Sequence, residues 1–238
     1  YMDKNKSAEI IRIFPLLVYK TKVGLTDEER DILAKEIFEQ ETKSKKLLDE
    51  ASSSAWTGDT KGFEFLYTNK KFEKLFNLIS ASIKKYTELL GINNEKIDFY
   101  YQRAWATISR KDGYIGKHKH SQSHISFAYY LKKDKHHGAL NFHNESVQNE
   151  IAPMLFRSPS DDSRINDFFK PNYDNAKVAT VYPQVDEIYI FPSKVVHSTA
   201  ANKTTNERIS ISADISLIAK DSENLEHLLT PINRWMKF

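Results

Sequence analysis

Phe72, Leu75, Phe76, Ile79, Ile83, Tyr86, Leu89 and Leu90 recur at three- and four-residue spacing, the period of one face of a helix. They predict a helix over about residues 69–90, closed by Gly91 where a C-terminal glycine is favoured. An earlier helix over about 27–50 follows from Leu33, Ile37 and Phe38, running toward Leu47 and Leu48. Its start is marked by Thr26-Asp27-Glu28-Glu29, which has the form of a capping box. Residues 9–20 are rich in β-formers, and Pro15 marks that run as an edge strand or a bulge. Residues 51–66, small and polar around Trp56, Gly58 and Gly62, read as a loop.

After Gly91 the period changes from 3.6 to 2. Short runs over about 97–109, 124–132, 138–143, 178–182, 187–191, 195–200 and 207–219 alternate apolar with polar residues between turn signals. Seven strands behind two helices predict an α+β chain with a jelly-roll core buttressed by its N-terminal helices. The length of 238 residues fits one domain. Its parts would be an N-terminal strand and helical support over 1–96, a β core over 97–220 and a tail over 221–238. The stretch 144–177, with Pro153, Pro159 and Pro171, interrupts the strands as a lid-like insertion.

Composition narrows the chemistry. The chain has no cysteine, which excludes disulfide scaffolds, zinc ribbons, iron–sulfur clusters and thiol nucleophiles. No apolar run is long enough to span a bilayer, and the patch near residues 10–18 is broken by Arg12 and Pro15. A cytoplasmic location and no membrane partner are the expectation. A net charge of +3 does not argue for nucleic-acid binding, so nucleic acid enters only as a potential substrate. The sequence does not specify an oligomeric state.

Of eight histidines, six fall between His118 and His143. His118 and His120, two residues apart, point to one side of an extended backbone and could share an ion. A flexible histidine-rich loop would have the same composition. His136 and His137 read as solvated turn residues, and His124 and His143 as buried strand residues satisfied by the backbone. Downstream, His197 places a third imidazole on a strand. Alternation then sets Arg208, Ser210 and Ser212 opposite Ile209 and Ile211, and an arginine facing into a barrel calls for an anion.

The order His-x-His, Tyr129-Tyr130-Leu131, a Gly-x-Leu-x-Phe strand, Phe191-Pro192-Ser193 followed by His197, and Arg208-x-Ser210 resembles the Fe(II)- and 2-oxoglutarate-dependent dioxygenases. The likeness is strongest to the prolyl-hydroxylase-like branch and to related bacterial and phage oxygenases, and it covers about residues 99–218. The resemblance implies a double-stranded β-helix in which His118 and His197 match the two metal histidines. Arg208 matches the arginine that pairs with the 5-carboxylate of 2-oxoglutarate, assisted by Ser210 and Tyr130. His120 stands where most members have a carboxylate, so the implied metal set is His118, His120 and His197. A three-histidine set is also a zinc geometry. Asp112, Glu145 or Asp214 could complete the site instead.

The resemblance further implies Fe(II), 2-oxoglutarate and O2, with ascorbate as an accessory reductant, and hydroxylation of a C–H bond with release of succinate and CO2. The substrate class stays open between a protein side chain, a nucleobase and a small molecule. A non-catalytic cupin-like domain holding a metal or a carboxylate is the alternative.

Overall fold

A computed structural model describes residues 11–48, 54–60, 62–152, 156, 170, 172–221 and 226–238. Its elements are β1 (Tyr19–Lys22), α1 (Asp27–Leu48), β2 (Ala55–Thr57), α2 (Glu73–Leu89), β3 (Ile97–Ser109), β4 (Ile115–His118), β5 (Ile125–Lys132), β6 (Leu140–His143), β7 (Val178–Val181), β8 (Glu187–Pro192), β9 (His197–Thr199) and β10 (Arg208–Ala219). Ten antiparallel strands form two facing sheets, of order β1-β8-β5-β10-β3-β2 and β4-β9-β6-β7. This is the predicted jelly-roll core with helical support.

Both helices cover the outer face of the six-stranded sheet. The capping box forms reciprocally: Thr26 Oγ1 accepts from the Glu29 amide at 3.2 Å, and the Thr26 amide donates to Glu29 Oε2 at 3.0 Å. Leu33 and Ile37 of α1 and Leu75, Phe76, Ile79, Ile83 and Tyr86 of α2 are buried in one cluster with Phe127, Tyr129, Ile188, Ile190, Ile209, Ile211, Ala213 and Ile215. Each fully buried aliphatic side chain contributes about 1.5–3 kcal/mol, so this layer fixes which face of each strand looks outward. Polar α1 positions over the sheet find partners: Glu41 pairs with Arg110 through two bonds of 2.7 Å, and Ser44 accepts from Trp56 Nε1 at 3.2 Å.

The inner face of the same sheet is different. Ala128, Tyr130, Tyr189 and Phe191 meet Leu140 and Phe142 from the smaller sheet in a second, small cluster. Along β10, Arg208, Ser210, Ser212 and Asp214 face this interior while Ile209, Ile211 and Ala213 join the helices. Strands β3 and β5 flank it in register, with Asp214 opposite Arg103 and Ser126, and Ser210 opposite Thr107 and Tyr130.

Three expectations are corrected. The strand read over residues 9–20 is confined to β1, because Pro15 lacks an amide and Phe14 takes φ +59°; Ile11, Ile13, Phe14, Leu16 and Leu17 are exposed, and residues 9 and 10 lie outside the described residues. Within the loop read over 51–66, Ala55–Thr57 pairs with β3 and buries Trp56. Strand β4 was hidden by Gly116 within its four residues, and its pairing to β9 is irregular. Most of the insertion between 153 and 171 lies outside the described residues. Its base is closed by the Asn144 amide on the Lys177 carbonyl at 2.8 Å.

Candidate metal centre

His118, His120 and His197 each bring one ring nitrogen to within 4.8 Å of the others. Two of them are a cross-strand pair: β4 and β9 set His118 opposite His197. His120 follows β4, with its amide on the Ser193 carbonyl at 3.0 Å. Ring centroids lie 4.2 Å apart for His118 and His197, 5.1 Å for His118 and His120, and 5.3 Å for His120 and His197.

The second nitrogen of each ring decides the tautomer. His118 Nδ1 lies 2.9 Å from the Gly116 carbonyl and His197 Nδ1 2.9 Å from the Val195 carbonyl. A carbonyl only accepts, so both Nδ1 atoms carry the proton. His120 Nδ1 faces Asp214 Oδ1 at 2.7 Å and does the same. All three Nε2 atoms are therefore left with a free lone pair, the arrangement of metal-ligating histidines. Burial pushes the ring of His197 down to about 3 and lowers that of His118 as well. These rings stay neutral at physiological pH, and neutral imidazole is the ligating form. The donor set fits a divalent first-row ion.

Of the three carboxylates that could have completed the set, none joins it. Asp112 is exposed and pairs with Lys203 at 3.1 Å, and Glu145 is exposed. Asp214 is buried but binds His120, Arg103 (Nε 3.0 Å, Nη2 2.5 Å) and Ser123 (3.3 Å). Burial works against its charge, yet the His120 and Arg103 contacts hold its carboxyl below the usual range.

Arg208, only 2% exposed, donates to four neutral acceptors: the carbonyls of His137 (2.6 Å) and Ala200 (3.0 Å), Thr199 Oγ1 (2.9 Å) and Ser109 Oγ (3.1 Å). Gly138 makes this possible. It adopts φ +84°, and a Cβ there would stand 2.3 Å from the Ala200 oxygen, so only glycine lets these two chain segments close on one guanidinium. No carboxylate pairs with Arg208 among the described residues. Thr199 lies two residues beyond His197 on the inner face of β9, about 7 Å along the strand. The guanidinium thus sits one pleat repeat from the histidine cluster.

Tyr130 is buried beside Arg208, and its hydroxyl makes no hydrogen bond among the described residues; burial raises its pKa while Arg208 opposes. Ser210 stands next to Tyr130 in register. The remaining histidines are apart from this group. Two of them are not the buried strand residues expected: His143 is half-buried on the outer face of the smaller sheet, its ring bonded to the Ser198 hydroxyl at 2.8 Å, and His124 precedes β5, exposed, with Nδ1 accepting from the Leu217 amide at 2.9 Å. His136 is exposed, but His137 is buried rather than solvated, because its carbonyl and ring are folded against Arg208 and Asp134. Sequence reasoning ranked Asp214 no higher than two other carboxylates. Continuing the alternation of 208, 210 and 212 by one more step would have singled it out.

Residues 103–214 match the family described as "Putative 2OG-Fe(II) oxygenase". No curated protein sequence matches the chain. Among solved structures, HygX from Streptomyces hygroscopicus with nickel and 2-oxoglutarate bound aligns over 84% of this chain and 82% of its own, at 12% identity and a TM-score of 0.52. The non-heme alpha-ketoglutarate-dependent epimerase SnoN from nogalamycin biosynthesis aligns over 83% and 77%, at 13% identity and a TM-score of 0.51. These likenesses establish the fold of the 2OG-Fe(II) oxygenases. The chain spans 57% of the length of a 2OG-Fe(II) oxygenase family oxidoreductase from Burkholderia pseudomallei, covering 62% of itself at 14% identity and a TM-score of 0.43. No helix among the described residues is long and apolar enough to cross a membrane.

Proposed function

We propose that the chain is an Fe(II)- and 2-oxoglutarate-dependent dioxygenase that hydroxylates a C–H bond of its substrate. The observation that carries this reading is Arg208: among the described residues, a buried guanidinium with only neutral partners, one pleat repeat from three histidines whose Nε2 atoms are free. A buried cation without a counter-anion is costly, and a dicarboxylate of five carbons spans from the ion to this charge. His118, His120 and His197 would hold the iron on one face. Arg208 would pair with the far carboxylate through two parallel N–H donors, with the Tyr130 hydroxyl as a further donor and Ser210 beside it. The bound iron and 2-oxoglutarate supply the oxidative chemistry, splitting the cosubstrate into succinate and CO2 while one oxygen atom goes to the substrate. The protein supplies orientation and a wall of Trp105, Phe191 and Phe142 against bulk water.

A cupin-like domain that merely holds a metal or a carboxylate is the second reading. It shares the histidine cluster but gives no reason for an arginine buried in register with it. The two readings separate in one assay. Purified protein with Fe(II), ascorbate, O2 and 2-oxoglutarate is expected to form succinate slowly even without substrate. Unchanged 2-oxoglutarate from a metal-loaded, folded protein would favour the binding domain.

A further inference from the structure

We propose that Asp214 is the anionic partner of the metal centre and acts as a positioning residue through His120. It would hold that ring with Nε2 aimed at the ion and supply, one bond further out, the negative charge that a ligating carboxylate would have brought. The inference rests on the reading of His118, His120 and His197 as metal ligands.

The three rings are not held alike. His118 and His197 donate to neutral carbonyls, whereas His120 donates to a carboxylate at 2.7 Å. A bond to an ionised acceptor is roughly twice as strong as a neutral one, and it makes the imidazole a more basic donor to a metal. Asp214 is 3% exposed and is retained as an ion by design of its surroundings. Arg103 covers Oδ2, with its guanidinium 5.1 Å from the ring centre of Trp105, and Trp105 lies in turn 5.6 Å from the His120 ring. Ser123 reaches Oδ1 at 3.3 Å. The backbone takes part too: the pairing of β10 with β3 shifts register between Asp214 and Ile215, which leaves Gln102 as an extra residue on β3 directly beside Arg103. With its oxygens committed to His120, Arg103 and Ser123, Asp214 serves the ion from outside the ligand shell. Three neutral imidazoles alone would leave a divalent ion with its full charge in a partly buried site. The Asp214 charge offsets part of it without occupying a coordination position.

The test is Co(II) binding followed by calorimetry and by the visible ligand-field spectrum, in wild type and in Asp214→Asn, with circular dichroism of both metal-free proteins. Asp214→Asn is expected to keep its fold, to lose about 10–100-fold in Co(II) affinity, and to show an altered spectrum. Equal affinity and spectrum in the two proteins would overturn the role of Asp214 while leaving the metal centre intact. No Co(II) binding by folded wild type would overturn the metal-centre reading itself. Should Asp214→Asn fail to fold, the nitrogen-15 spectrum of histidine-labelled wild type decides. The Nδ1 proton of His120, assigned by its loss in His120→Ala, is expected clearly downfield of the other two, and three equal shifts would overturn the proposal.

Discussion

His197→Ala is expected to abolish binding of a divalent metal and, with it, all conversion of 2-oxoglutarate. The ring is 7% exposed and directly opposite His118 across the β4–β9 ladder. A structural zinc site is worth about 10–16 kcal/mol over four ligands, or about 3 kcal/mol per ligand, which is more than 100-fold in affinity for one lost imidazole. His118→Ala should behave in the same way. The control is His143→Ala on the adjacent strand. Its ring faces outward to Ser198, and metal affinity should be unchanged within error. Calorimetric titration with Co(II) or Ni(II) reads both. Equal metal binding by His197→Ala and wild type would dismantle the centre as described.

Arg208→Met is expected to weaken 2-oxoglutarate binding by about 30-fold or more, the scale of truncating one partner of a buried, hydrogen-bonded charge pair at about 2–5 kcal/mol. Its effect on the ligand-free protein should be much smaller. Four neutral acceptors lose a donor, but a buried cation without a counter-anion also disappears, and replacing buried charge by an apolar side chain of similar volume is often neutral. The difference is measurable as a ligand-dependent shift in Tm. Cosubstrate at a hundred times its Kd stabilises wild type by about 2.7 kcal/mol, and the same concentration should stabilise Arg208→Met by about 0.9 kcal/mol or less. Metal affinity should be retained, because Arg208 contacts β9 at Thr199 and not at His197. A variant stabilised by 2-oxoglutarate as strongly as wild type would remove Arg208 from the cosubstrate site.

Periodicity made much of this architecture legible. The apolar stripe of α2, the capping box of α1 and the long alternating runs of β3 and β10 bury enough surface to declare themselves locally. Strands β2 and β4 do not: each is three or four residues long, is flanked by glycine or polar residues, and exists because a longer strand pairs with it. Tertiary pairing overrides local propensity there. Within the site, His118, His120, His197 and Arg208 could be named from spacing and resemblance. The role of Asp214 could not, because its partners His120 and Arg103 lie 94 and 111 positions away; Arg103 meets it only once β10 and β3 are in register, and His120 only once the segment after β4 is fastened to Ser193. The same holds for the acceptors around Arg208, which come from three separate chain segments drawn together at Gly138.

The central claim is that one pocket holds iron through three histidines and 2-oxoglutarate through Arg208, close enough for the cosubstrate to chelate the ion. Anaerobic addition of 2-oxoglutarate to the Fe(II)-loaded protein tests this without any knowledge of the substrate. A visible metal-to-ligand charge-transfer band should grow in with one equivalent of cosubstrate in wild type and be lost, at the same concentration, in Arg208→Met. Iron and 2-oxoglutarate both bound with no such band would contradict the account, since the two would then occupy separate sites.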